Sequence, residues 1–216
     1  SDITLNGTAT LTINSTDNGV VSKDDLKVTG GTYNITATSK GLQANDSFAM
    51  SDGEVNIKSD DDGIHTENSD DDKLGYVYIG GGIINIDVVD DGIHAVSVVQ
   101  VDDGEINITA GEGIEGTYIQ INGGNINIDA TYDGINAANK SESYNALFEM
   151  NNGTITIKVD EGDTDAIDSN GDITINGGTI DITASLPFDY VGEATLNGGK
   201  IIINGNEVSE IPASTK

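Results

Sequence analysis

An acidic residue opens a five-residue motif that recurs along the chain. The motif reads acid-Gly-Ile-x-small and occurs as Asp62-Gly63-Ile64-His65-Thr66, Asp91-Gly92-Ile93-His94-Ala95, Glu112-Gly113-Ile114-Glu115-Gly116 and Asp133-Gly134-Ile135-Asn136-Ala137. A variant without the glycine begins at Asp165 and carries a second acid, Asp168, at its fourth position. Carboxylate and amide oxygens are the ligands that hard divalent cations prefer. Several such motifs brought side by side would make a row of cation ligands.

A second repeat predicts how these motifs are brought together. A glycine followed by apolar residues at i+2 and i+4 begins copies at Gly31, Gly53, Gly82, Gly104, Gly124, Gly153, Gly178 and Gly199, with a looser copy at Gly7. The 192 residues from Gly7 to Gly199 make eight spacings, so the period averages 24. A fixed period of this length is typical of a solenoid built from one supersecondary unit.

Each period divides into three short strands. The first follows the motif glycine, the second contains the acidic motif, and the third precedes the next glycine turn. Inward apolar residues alternate with outward polar ones, which include the column Asn34, Asn56, Asn85, Asn107, Asn127 and Thr156. We therefore predict an all-β fold, a right-handed parallel β-helix of about nine coils, forming a single domain over residues 1–216.

Composition limits the partners of this fold. The formal charge is −28, all nine basic residues are Lys, and cysteine is absent. This charge excludes nucleic acid and anionic membrane as default partners, and no apolar run is long enough for a membrane span. The isoleucine repeats argue against disorder, while nothing in the sequence decides the oligomeric state.

Stacking the coils would bring the acids into register. Neighbouring carboxylates about 5 Å apart would repel by roughly 3 kcal/mol at an effective dielectric near 20. We predict that several Ca²⁺ ions relieve this repulsion, the other interpretation being a row of screened surface acids. The predicted ligands are Asp61, Asp62, Asp90, Asp91 and His94; then Glu112, Glu115, Asp133 and Asn136; then Asp163, Asp165 and Asp168. For His65 and His94, stacked neutral imidazoles are expected, with transition-metal ligation as the alternative.

Two coils carry longer insertions, around residues 67–74 and 139–145. Both fall between the acidic motif and the next glycine, where the spacing is 19 residues instead of 11 or 12. The two loops are therefore expected to leave the rod at one corner, three coils apart. Lys73 and Lys140 lie in these loops and are candidates for contacting an acidic ligand.

The ordered series of acidic motifs between Gly-Gly-x-Ile-x-Ile strands resembles the bacterial carbohydrate-binding β-helix proteins. The resemblance covers about residues 31–203. It implies an extracellular or cell-surface protein that binds Ca²⁺ and polysaccharides such as polygalacturonate and cellulose. It also implies a fold similar to that of calcium-dependent pectate lyases, which use a Lys base.

Three functions remain open from the sequence. The first is calcium-dependent, non-catalytic binding of an acidic polyuronate or cellulose, in which Tyr76, Tyr118 and Tyr132 supply aromatic contacts. The alternative is a polysaccharide lyase with a base chosen from Lys40, Lys73, Lys140 and Lys158. No lysine shows an evident device for lowering its pKa, which favours binding over catalysis. A purely structural stalk is the third interpretation.

Overall fold

A computed structural model describes residues 1–162 and 164–214. These residues form 23 strands and no helix, so no helix among them is long and apolar enough to cross a membrane. The larger sheet contains β1 (Ile3–Leu5), β2 (Thr10–Ser15), β4 (Asp25–Ala37), β6 (Ser47–Ser59), β8 (Tyr76–Val88), β10 (Val98–Ala110), β12 (Tyr118–Ile121), β13 (Asn125–Ala130), β15 (Leu147–Met150), β16 (Thr154–Val159), β18 (Asp172–Ile175), β19 (Thr179–Thr183), β21 (Ala194–Leu196), β22 (Lys200–Ile203) and β23 (Asn206–Val208). The smaller sheet contains β3 (Val20–Ser22), β5 (Leu42–Ala44), β7 (Ile64–Thr66), β9 (Asp91–Ala95), β11 (Glu112–Gly116), β14 (Ile135–Ala137), β17 (Asp165–Ser169) and β20 (Leu186–Tyr190).

Strands of successive coils pair in parallel and in register. In the smaller sheet, Ile64 pairs with Ile93, and Ile114 pairs with both Ile93 and Ile135. The pairing continues coil by coil, and β22–β23 at the C-terminal end is antiparallel. The parallel β-helix of about nine coils predicted from the glycine spacing is confirmed.

In the first half of the rod, the third predicted strand of one coil runs directly into the first predicted strand of the next. Each such pair forms one strand of 13 residues, namely β4, β6, β8 and β10, which bends at a glycine of positive φ such as Gly82 or Gly104. From β12 onward the third and first predicted strands are separate. The turn between them begins with an asparagine in each coil, at Asn122, Asn151, Asn176 and Asn197. Their side-chain amides hydrogen-bond along the column at 2.8 Å.

Glycine in the acidic motif allows the two sheets to approach each other. A Cβ on Gly92 would lie 2.4 Å from Cγ2 of Ile108 and 2.6 Å from the carbonyl oxygen of Gly113. The inward isoleucines, among them Ile93 and Ile114, are fully buried. This close packing fixes the acid that precedes each glycine at the same level of every coil.

Candidate functional site

The structure places the motif acids in one column. Backbone hydrogen bonds link Gly63 N to Asp91 O at 2.8 Å, Gly113 N to Asp133 O at 2.9 Å and Gly134 N to Asp165 O at 3.0 Å. Asp91 pairs with Glu112 between β9 and β11. A cleft of about 320 Å³ opens along the first part of this column. We call it the acidic cleft; it is lined by Lys40, Asp61, Asp62, His65, Asp90, Asp91, His94, Glu112, Glu115 and Lys140.

Lys40 compensates the first acids of the cleft. Its Nζ lies 2.9 Å from Oδ2 of Asp62 and 3.1 Å from both carboxylate oxygens of Asp61. His65 Nδ1 lies 2.6 Å from the same Oδ2 of Asp62. Burial alone would raise the pKa of Asp62, but the hydrogen bonds from His65 and Lys40 outweigh it and hold that pKa well below its usual range. Burial and the charges of Asp62 and Asp61 raise the pKa of Asp90.

His94 compensates the next two acids. Its Nδ1 lies 2.9 Å from Oδ2 of Asp91 and 2.8 Å from Oε2 of Glu115, and all three side chains are about nine-tenths buried. Lys140, from the second long loop, places its Nζ 2.9 Å from Oε1 of Glu115. The ring of His94 stacks on that of His65 with centroids 4.6 Å apart.

The expected neutral state is wrong for His94. Burial opposes charging of its imidazole, but the hydrogen bonds to Asp91 and Glu115 outweigh burial and raise the pKa to about 9. His94 is therefore a cation at neutral pH. The stacking of the two imidazoles, which the motif spacing predicts, is present.

Glu112 and Asn136 form the part of the column with the least compensation. Asn136 Nδ2 donates to Oε2 of Glu112 at 3.1 Å, while the buried Oδ1 of Asn136 has no hydrogen-bond partner among the described residues. Burial raises the pKa of Glu112 to about 7, against the hydrogen bond from Asn136, and the charges of Asp91, Glu115 and Asp133 add to the rise. An ionised Glu112 is therefore disfavoured unless a cation is present.

Two of the three residues in the last predicted ligand group, Asp165 and Asp168, lie within the described part of the chain. Asp165 is buried, and its backbone N donates to Oδ1 of Asp133 at 2.8 Å. Asp168 follows Asn136 in the register between β14 and β17. Asp163, the third predicted ligand of this group, lies outside the described residues.

The two long loops meet each other, which the sequence did not reveal. Asp72 in the first loop accepts hydrogen bonds from Glu142 N at 2.8 Å and from Ser143 Oγ at 2.6 Å, and its carbonyl accepts from Ser141 Oγ at 2.7 Å. The hydrogen bond from Ser143 leads the causes that lower the pKa of Asp72. The shared corner predicted from the spacing is present, and Lys140 reaches Glu115 from within the joined loops.

The predicted carbohydrate-binding side chains lie at different places. Tyr118 pairs with Val98 and Leu147 in an outward column that also contains Tyr76, which is 38 % exposed. The Tyr118 hydroxyl donates to Glu149, and burial and this bond raise its pKa. Tyr132 is exposed just before Asp133 in the acid column. Lys73 is exposed on the first long loop.

The three groups of oxygen ligands along the acid column differ in how well they suit a hard cation. Oxygens of Asp61, Asp62 and Asp90 lie within 4.8 Å of one another, but Lys40 already binds two of these residues. Asp91, His94 and Glu115 also converge within 4.8 Å, with the imidazolium between the carboxylates. Glu112 and Asn136 offer a partly buried carboxylate and a buried amide oxygen with no hydrogen-bond partner among the described residues. This last pair fits Ca²⁺ best, because Ca²⁺ takes carboxylate and amide oxygens.

Comparison with known proteins identifies the family. The model of the carbohydrate-binding domain-containing protein family matches residues 1–117 and again residues 109–210. The chain belongs to this family. Two overlapping matches along one rod agree with the internal repeats of the sequence.

Two proteins illustrate the similarity. The chain is 50 % identical over 111 residues to a carbohydrate-binding domain-containing protein of Acetivibrio thermocellus. That alignment covers 51 % of this chain and spans 39 % of the length of the relative. A solved polysaccharide lyase-like protein from C. thermocellum, in its gadolinium derivative, superposes with a TM-score of 0.54 at 21 % identity. The superposition covers 91 % of this chain and 87 % of that one, and at this identity it supports the fold alone.

Proposed function

We propose that this member of the carbohydrate-binding family binds an acidic polyuronate of the pectin type through Ca²⁺ held in the acidic cleft, without cleaving it. The observation that carries the proposal is the buried Oδ1 of Asn136, unpartnered among the described residues, beside Glu112. An amide oxygen of this kind costs free energy unless it gains a partner, and a cation supplies one. Glu112 supplies the charge, and its raised pKa marks where a positive charge is lacking.

Calcium explains how so acidic a protein attracts an acidic polymer. At a net charge of −28 the chain repels polyuronate at long range. A Ca²⁺ ion bound by few protein oxygens keeps coordination positions for uronate carboxylates, since it takes six to eight oxygen ligands. Extracellular calcium modules bind with Kd on the order of 10⁻⁴ to 10⁻³ M, and we place this function outside the cell or at its surface.

The lysines of the cleft favour binding over catalysis. A lyase of this kind needs an unprotonated base to remove the proton beside the uronate carboxylate. Burial alone would lower the pKa of Lys40 and of Lys140, but their hydrogen bonds to Asp62 and Glu115 outweigh it and raise both. Both lysines are therefore protonated at neutral pH and suit ion pairing, either with the protein or with the glycan.

A calcium-dependent pull-down tests the proposal. The protein should be retained on polygalacturonate at about 1 mM Ca²⁺ and released by a chelator. The variant Glu112→Gln should lose most of this retention. The matched control is Glu105→Gln, which removes the same charge from an exposed position of the larger sheet and should bind normally.

Two results would overturn the proposal. Retention that survives the chelator would show that Ca²⁺ does not bridge the glycan. Accumulation of unsaturated uronide, seen as ultraviolet absorbance in the same mixtures, would show that the protein is a lyase.

A further inference from the structure

A second groove, different in character from the acidic cleft, runs along the larger sheet. Its volume is about 590 Å³, and its lining repeats coil by coil as an Asn, an Ile and then a Thr, Lys or Asp. It extends over six coils, from Asn34 to Thr156. At about 4.8 Å per coil, the five steps make it about 24 Å long. We call it the asparagine groove.

One wall of this groove is a ladder of side-chain amides. The Nδ2 of Asn56, Asn85, Asn107 and Asn127 each donates to the Oδ1 of the preceding coil's Asn, at 2.8 to 2.9 Å. Because each amide offers two N–H groups, Asn85 and Asn127 retain one N–H with no partner among the described residues. The ladder fixes these two donors two coils apart, because the second N–H of Asn107 between them donates to Glu105.

The floor of the groove is apolar. Ile57, Ile86 and Ile108 are 3 to 4 % exposed, whereas the inward residues two positions before them are fully buried. The second inward isoleucine of each coil therefore presents methyl groups beside the amides, and these line up as a strip. This combination suits a pyranose ring, which has apolar C–H faces and polar hydroxyls at its edges.

The opposite wall carries no net charge. Lys58 pairs with Asp87 at 2.9 Å, and Lys158 pairs with Asp129 at 3.1 Å. The remaining residues of this wall include Thr36 and Thr109. On a protein of charge −28, an elongated surface whose charges are balanced favours an uncharged polymer over a charged one.

We propose that the asparagine groove binds one uncharged, extended polysaccharide chain, with successive hexoses on successive coils. The rise of a coil is close to the length of one hexose in an extended β-1,4-linked chain. Alternate sugars of such a chain present the same edge, so the free N–H groups of Asn85 and Asn127, two coils apart, meet the same edge of alternate sugars. The proposal goes beyond polyuronate binding. It depends on family membership and on the groove, and it requires neither Ca²⁺ nor the acidic cleft.

Calorimetric titration with cellohexaose and mannohexaose, in the presence of a chelator, tests the groove. The native chain should bind at least one of these extended hexaoses and should not bind maltohexaose, whose α-1,4 linkage curves the chain. Asn107→Ala removes one amide and breaks two ladder bonds, and should weaken binding about tenfold. The matched control is Asn151→Ala, which breaks two bonds of 2.8 Å in the other ladder and should bind as the native chain does.

A second variant covers the case in which Asn107→Ala fails to fold. Thr109 is exposed on the far wall, so Thr109→Arg fills the groove without disturbing the ladder and should abolish binding. Equal binding by Thr109→Arg and the native chain would overturn the proposal, as would the absence of binding to both extended hexaoses. If Tyr76→Ala loses hexaose binding and Thr109→Arg keeps it, the neutral glycan binds the outward column that contains Tyr76 and Tyr118, and the proposal is wrong. Glu112→Gln should leave hexaose binding unchanged, which separates this result from the polyuronate test.

Discussion

The ammonium group of Lys40 lies 2.9 Å from Oδ2 of Asp62, one coil away in the same column. Lys40 precedes Gly41 as Asp62 precedes Gly63, and Gly41 N donates to Asp62 O at 2.8 Å. The column therefore begins with a cation supplied by the protein itself. One coil beyond His94 the column reaches Glu112, where a further cation is needed.

Replacing Lys40 should make the first acids dependent on calcium. Lys40→Met removes the ammonium group from Asp62, which is 3 % exposed, and leaves its buried charge with His65 alone as partner. We expect a loss of about 2 kcal/mol in the free energy of unfolding without Ca²⁺, and recovery when Ca²⁺ binds Asp61, Asp62 and Asp90. Urea denaturation with and without Ca²⁺ measures both effects.

Lys58→Met is the control for this change. The pair of Lys58 with Asp87 is well exposed, so its loss should cost less than about 1 kcal/mol. A similar loss in both variants, or no recovery of Lys40→Met with Ca²⁺, would contradict this account of the column.

Glu112→Gln should stabilise the calcium-free protein above neutral pH. The folded-state pKa of Glu112 is raised from 4.5 to about 7, so this group contributes stability at low pH that is lost as the pH rises through 7. Ionising Glu112 thus costs at most about 3 kcal/mol, reduced by solvent screening of its partly exposed carboxylate, and the amide avoids that cost. Thermal melting at pH 5 and pH 8 should show a gain for the variant at pH 8 only.

Added Ca²⁺ should reverse the order of the melting temperatures of the native chain and the Glu112→Gln variant. The native carboxylate of Glu112 then gains a cation that the amide of the Glu112→Gln variant cannot bind as well, so the native melting temperature should rise more. If Ca²⁺ raises both melting temperatures equally, Glu112 is not a ligand.

The coil architecture was predictable because glycine and isoleucine act locally. Gly92 lies against Ile108 so closely that only hydrogen fits, and the same constraint recurs at Gly63, Gly113 and Gly134. The stacking of Asp62, Asp91 and Glu112 follows from that period alone. For the same reason the register of the asparagine column could be predicted from sequence.

The compensation of charge was not predictable, because it depends on loop conformation. The spacing places Lys40 in the acid column, but whether its ammonium turns toward Asp61 and Asp62 is decided by side-chain geometry. Lys140 lies in a loop whose course depends on Asp72, 68 positions earlier in the sequence. A repeat pattern carries no signal for contacts between residues that do not repeat. The prediction of neutral His94 was wrong for another reason, because the spacing does not show that one ring nitrogen contacts both Asp91 and Glu115.

The stability of the protein should fall as His94 deprotonates. A histidine whose folded-state pKa is raised to about 9 contributes stability that is fully present below its unfolded pKa, near 6.5, and is lost as the pH rises through 9. In chelator, native protein should lose stability between pH 7 and pH 10 more steeply than His94→Gln. An NMR titration of the imidazole checks the cause, and a midpoint near 6.5 would refute it.

Asp72 should control the order of the second long loop. Asp72→Asn replaces an acceptor-only carboxylate with an amide, which cannot accept from Glu142 N and Ser143 Oγ equally well. We expect the amides of residues 139–145 to exchange hydrogen about tenfold faster than in the native chain. Because these bonds lower the pKa of Asp72, the native loop contact should persist at neutral pH and weaken as the pH falls.

Asp70→Asn is the control for Asp72→Asn, since Asp70 is exposed on the same loop. Equal exchange in the two variants would mean that the loop is held by other contacts. Faster exchange in Asp72→Asn alone, together with weaker polygalacturonate retention, would show that the loop contact places Lys140 for the glycan.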